Sequence, residues 1–100
     1  MTARRGPKEW HPDWGVHPGE LVREALSAAG MTQTAAAEAI GMKPPQLNDM
    51  LTGRRGIGPV VALRIAVLTG ISARLLVRMQ ADYDLHVAER AAQEKGETGA

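Results

Sequence analysis

Apolar residues recur along this chain at spacings of three and four, the period of an amphipathic helix. Leu21, Val22, Ala25, Leu26 and Ala29 mark a first helix over about residues 19–29, with Pro18 at its first turn and Gly30 as its stop. Thr32 offers an N-cap to a short second helix carrying Ala35, Ala36, Ala37, Ala39 and Ile40, and Gly41 terminates it. Pro44 and Pro45 fit the first turn of a third helix, where amide hydrogens have no intrahelical acceptor. Its apolar stripe is Leu47, Met50 and Leu51, and it ends near Thr52 and Gly53. After the basic loop Arg54-Arg55-Gly56-Ile57-Gly58, Pro59 opens a fourth helix through Val60, Leu63, Ile65, Ala66, Val67 and Leu68, closed by Gly70. Ser72 caps a long fifth helix with Leu75, Leu76, Met79, Tyr83 and Val87 on its apolar side. Leu75, Leu76 and Met79 are expected in the core. Tyr83 and Val87 are candidates for a dimer or partner seam.

Five helices with short links predict an all-α, compact five-helix bundle. The composition agrees: 100 residues with no Phe, one Tyr and two Trp must build the core from Leu, Ile, Val, Met and Ala, which suits close helix packing. Residues 1–17 show no helical period and are expected to form an N-terminal arm. Its Trp10 and Trp14 could pack back on the body or serve a partner. Residues 18–90 form the domain, and the polar end 91–100 is expected to be a disordered tail.

Charge changes the picture by position more than by total. The net charge is +1, yet residues 1–81 carry ten Lys/Arg against six Asp/Glu, a net of +4, and residues 82–100 carry two against five, a net of −3. A basic body is compatible with a polyanionic partner. The chain has no cysteine, no apolar run long enough for a membrane span and no apolar stretch behind its basic N-terminus, so a cytoplasmic protein is expected.

The segment from Gln33 to Thr52 reads as one unit, two helices joined by a tight turn. A small residue, Ala37, stands where the helices cross, and Gly41 suits a turn that needs positive φ. Any helical hairpin would want both. The outward face distinguishes this one. With Leu47, Met50 and Leu51 inward, Pro45, Asn48, Asp49 and Thr52 turn outward, with Lys43, Pro44 and Gln46 at the leading end and flank. Asn and Gln can pair bidentately with adenine, and Lys can reach guanine or a phosphate, so this helix is suited to reading a major groove. Asp49 needs a cytosine amino group or a neighbouring side chain as partner, because phosphates repel it. Gln33 and Thr34 at the positive end of the second helix, with Arg54 and Arg55, are placed for phosphates.

Catalysis is not expected. His11, His17 and His86 lie without ligand spacing, there is no cysteine nucleophile, and no glycine loop cradles a phosphate, so neither a metal, a cofactor nor a small-molecule substrate is implied. The competing reading is a protein-interaction module that keeps the fold and binds a partner protein with little DNA binding.

Five segments carry a resemblance: Val16-His17-Pro18-Gly19-Glu20, Gly30 to Ala35, Gly41 to Pro45, Gly53-Arg54-Arg55-Gly56-Ile57, and Gln80 to Leu85. Over about residues 16–90 the chain resembles the HigA-type antitoxins of the Xre, lambda-repressor-like, helix-turn-helix family. The resemblance implies a lambda-repressor-like fold and a homodimer on an inverted-repeat operator of double-stranded DNA. It further implies a repressor of its own operon that neutralises a RelE-like, messenger-RNA-cleaving toxin. Carried over by position, Gln33, Lys43, Pro44, Pro45, Gln46 and Asn48 would face DNA, with Arg54 and Arg55 at the backbone. Lys43 stands where the family pattern has a capping Ser or Thr. A free-standing repressor with no toxin beside it fits the same residues.

Overall fold

A hydrogen-bonded first turn before each apolar stripe sets where the helices begin. The computed structural model describes residues 16–96, and among them the chain forms five helices in the order α1 (Pro18–Ala28), α2 (Gln33–Ile40), α3 (Pro44–Leu51), α4 (Pro59–Thr69) and α5 (Ala73–Glu94). The Thr32 hydroxyl accepts from the Ala35 amide at 3.1 Å, and the Ser72 hydroxyl from the Leu75 amide at 3.2 Å. Each thereby satisfies a donor the helix itself cannot.

One core joins all five elements. Val22 and Leu26 of α1, Ala36, Ala37 and Ile40 of α2, Leu47, Met50 and Leu51 of α3, Ala62 and Ile65 of α4, and Leu76 of α5 are all buried. Ile57 of the α3–α4 loop completes it. α2 packs on α3 and α4, while α1 touches α3, α4 and α5. The approach of α1 to α3 is close enough that a Cβ on Gly19 would collide with the Met50 carbonyl oxygen and sit 3.0 Å from Leu51 Cα.

His17 organises this corner. It is buried, its Nδ1 accepts from the Gly19 amide at 2.9 Å, and it thereby caps α1 ahead of Pro18. A ring accepting at Nδ1 carries its proton on Nε2 when neutral, and that nitrogen is buried with no nitrogen or oxygen partner among the described residues. The ring stands edge-on to Tyr83 of α5, centroids 4.8 Å apart at 86°. Burial lowers the His17 pKa from its ordinary 6.5, with Asp84 and Glu20 pulling the other way.

Several expectations are corrected. His17 belongs to the body, so the boundary expected after residue 17 lies before it. The polar end expected from residue 91 starts later, because α5 runs to Glu94. Leu75, expected in the core, is 43% exposed, since α5 turns Leu76 and Met79 inward instead. On α4, Ala62 and Ile65 are buried and Val60, Leu63 and Val67 face out at 61%, 61% and 90% exposure. That helix is apolar nearly all round, so periodicity could not choose its inward side. Trp10, Trp14 and the rest of residues 1–15, together with residues 97–100, lie outside the described residues.

Candidate nucleic-acid interface

The α2–α3 unit is held from three sides. Ala36 and Ala37 are both fully buried, so α2 approaches its neighbours with no bulk between the backbones. Gly41 closes α2 in the left-handed region at φ 85°, its amide donating to the Ala37 and Glu38 carbonyls. From α4, Arg64 Nη1 donates to the Ile40 carbonyl at 3.2 Å, taking up an acceptor at the C-terminal end of α2. The sequence reading missed Arg64, and only the fold brings it across 24 residues to α2.

α3 starts without a capping hydroxyl. Lys43 occupies the N-cap, and the Gln46 side-chain oxygen accepts from the Lys43 amide at 3.0 Å. The reciprocal half of a capping box is thus supplied from within the helix. Gln46, a candidate base reader, is therefore half-buried and committed through its oxygen to the helix start, with its amide NH₂ left as the group that can donate outward.

The outer side of α3 is open to solvent. Lys43, Pro44, Pro45, Asn48 and Thr52 are exposed. Gln33 and Thr34 at the start of α2 are exposed too, and so are Arg54 and Arg55 just past α3. Leu47, Met50 and Leu51 point into the core, so the polar side of α3 meets solvent rather than the body.

Asp49 has a local partner. Its carboxylate lies 3.4 Å from Arg54 Nη1, and its backbone carbonyl accepts from the Arg54 and Arg55 amides at 2.8 and 3.1 Å. The loop thus folds back onto the last turn of α3, with the Arg54 guanidinium held beside Asp49. An exposed pair of this kind adds little stability, and its effect is to orient Arg54.

A second anchor comes from α5. Gln80 is buried, its side-chain oxygen accepts from the Ile57 amide at 2.8 Å, and its Nε2 donates to Asp84 Oδ1 at 2.9 Å. Gly56 passes so close that a Cβ there would be 3.3 Å from Gln80 Cδ. The Gln80 segment entered the sequence reading only through the resemblance. Its contact with the basic loop spans 23 residues and has no local signal.

Among the candidates for a partner seam, Tyr83 is half-buried and engaged with His17, and Val87 is 46% exposed. Among the described residues no group of three or more His, Asp or Glu side chains could hold a metal ion.

With this geometry the chain is similar to several known proteins. A sequence family described as Helix-turn-helix matches residues 22–76. Virulence-associated protein I of Dichelobacter nodosus is 37% identical over 79 residues, which cover 78% of this chain and 73% of that protein. The solved structure of Pseudomonas aeruginosa antitoxin HigA with the higBA promoter is 30% identical, covers 86% of this chain and 95% of its own, and superposes with a TM-score of 0.75. A Pseudomonas aeruginosa protein solved in complex with its 28-base-pair operator DNA is 29% identical with a TM-score of 0.74, covering 86% and 96% of the two chains.

Proposed function

The chain belongs to the Helix-turn-helix family, and from that premise we propose that it is a DNA-binding transcriptional repressor of the antitoxin kind. It occupies a site and catalyses no reaction. The observation that carries this reading is the exposed polar side of α3, with Lys43, Pro44, Pro45 and Asn48 outward and Arg54 and Arg55 beside it. Structural neighbours that are an antitoxin with its promoter and a protein with its operator support it.

In this reading Asn48 and Lys43 address base edges, Pro44 and Pro45 pack against the groove, and Gln46 offers its amide NH₂ donors. Gln33 and Thr34 at the N-terminus of α2, with Arg54 and Arg55, hold phosphates and set register. Asp49 acts through Arg54. One such helix spans only a few base pairs, so the protein binds as a homodimer to an inverted-repeat operator and represses its own operon. Its second partner is a RelE-like, messenger-RNA-cleaving toxin of a HigB/HigA-type module. The site of action is the cytoplasm; no helix among the described residues is long and apolar enough to cross a membrane.

A mobility-shift titration against DNA upstream of the gene, at two salt concentrations and beside a scrambled duplex, tests the repressor. Specific binding is expected to survive the higher salt while the scrambled duplex is lost. Equal affinity for both duplexes would reject sequence-specific repression. Co-purification with the product of the adjacent reading frame, and relief of that product's toxicity, tests the antitoxin assignment separately.

A further inference from the structure

Between the start of α1 and the start of α5 runs a groove of about 430 Å³ lined by Val16, Glu20, Leu21, Glu24, Leu75 and Met79. Its floor is apolar. Its α1 rim carries two exposed carboxylates, Glu20 and Glu24, one helical turn apart. Val16, the first described residue, forms part of the wall. Trp14 lies two residues upstream, within about 7 Å of extended backbone. Residues 1–15 carry Arg4, Arg5 and Lys8 against Glu9 and Asp13, a small excess of charge opposite in sign to the rim.

We infer that this groove is the docking site of the chain's own N-terminal segment, with the Trp14 indole seated on Leu21, Leu75 and Met79. α1 rises only about 6 Å from Glu20 to Glu24, so an extended segment crosses the groove within a few residues and Trp14, rather than Trp10, is in reach. A tryptophan side chain buries on the order of 150–250 Å², and it covers the exposed side of Leu75 that α5 leaves without a neighbour. The inference stands apart from DNA binding and holds for any function of α3.

The test uses the full chain carrying Trp10→Phe, in which Trp14 is the sole indole. Its emission is expected to be blue-shifted, with iodide quenching several-fold weaker than in the denatured chain. Leu75→Lys, at a position that is already 43% exposed, should shift the emission to the red and raise quenching several-fold at unchanged helicity. In the same chain, proton contacts from the Trp14 indole to the Leu75 and Met79 methyl groups are expected by nuclear Overhauser spectroscopy, a readout that needs no groove variant. Quenching equal to that of the denatured chain, or absence of those contacts, overturns the inference. Protection that appears only as protein concentration rises would put the segment on a second copy and overturn it equally.

Discussion

His17 works as an unprotonated base, since its Nδ1 must keep a lone pair for the Gly19 amide. Burial holds its pKa below 6.5, against the opposing pull of Asp84 and Glu20. A depressed folded-state value means that the unfolded chain binds the proton first. Its contribution is therefore complete above the unfolded value of 6.5 and is lost as pH falls through the folded value. The melting temperature is expected to be level at neutral pH and to decline in weak acid. His17→Asn, which keeps a capping acceptor, should flatten that decline, and an identical slope in parent and variant would remove His17 as its cause. At the interface, Arg54→Ala with Arg55→Ala should weaken binding to all duplexes alike and lower the salt slope by about two. Asn48→Ala should instead cost about 1–3 kcal/mol on the operator and little on random DNA. Gln46→Ala, by contrast, should lower the thermal stability of the protein without DNA as well, because Gln46 also closes the start of α3.

Among the elements, two glycines mark different constraints. Gly41 sits at φ 85°, where a β-branched side chain is strained, and a Cβ there would be 3.0 Å from Arg64 Nη1. Gly41→Val is expected to destabilise the fold by more than about 1 kcal/mol in urea melts, and Gly41→Asn by less, because Asn tolerates that backbone region. Gly19 lies within a helix and is needed for space, since α1 crosses the last turn of α3 with backbone against backbone. The α3–α4 loop depends on α5 through Gln80. Gln80→Ala leaves the buried Ile57 amide without its acceptor, a loss of about 1–3 kcal/mol. It should also weaken binding to specific and random DNA together, because the loop it secures carries both arginines. Loss of specific binding alone would contradict that role.

At the scale of the whole molecule, recognition by so small a unit requires two copies. Light scattering is expected to report a dimer, and the operator should contain half-sites about 34 Å apart. Inserting half a helical turn between them should abolish tight binding, and a protein that stays monomeric on the operator would defeat the symmetric arrangement. Among the described residues the exposed large apolar side chains fall on two elements, Val60, Leu63 and Val67 on α4 and Leu75, Leu85 and Val87 on α5.

Local order in the chain sufficed for the five helices, their caps at Thr32 and Ser72, the turn at Gly41 and the outward polar side of α3. Each depends on interactions within about four residues, which periodicity and capping chemistry express directly. Tertiary structure alone decided what depends on distant neighbours. It placed Arg64 on the end of α2 and Gln80 under the basic loop, buried His17, and chose the inward side of α4, which is apolar nearly all round. Those outcomes follow from which helices pack together, and the sequence spacing of 23 or 24 residues between such partners holds no local trace of it.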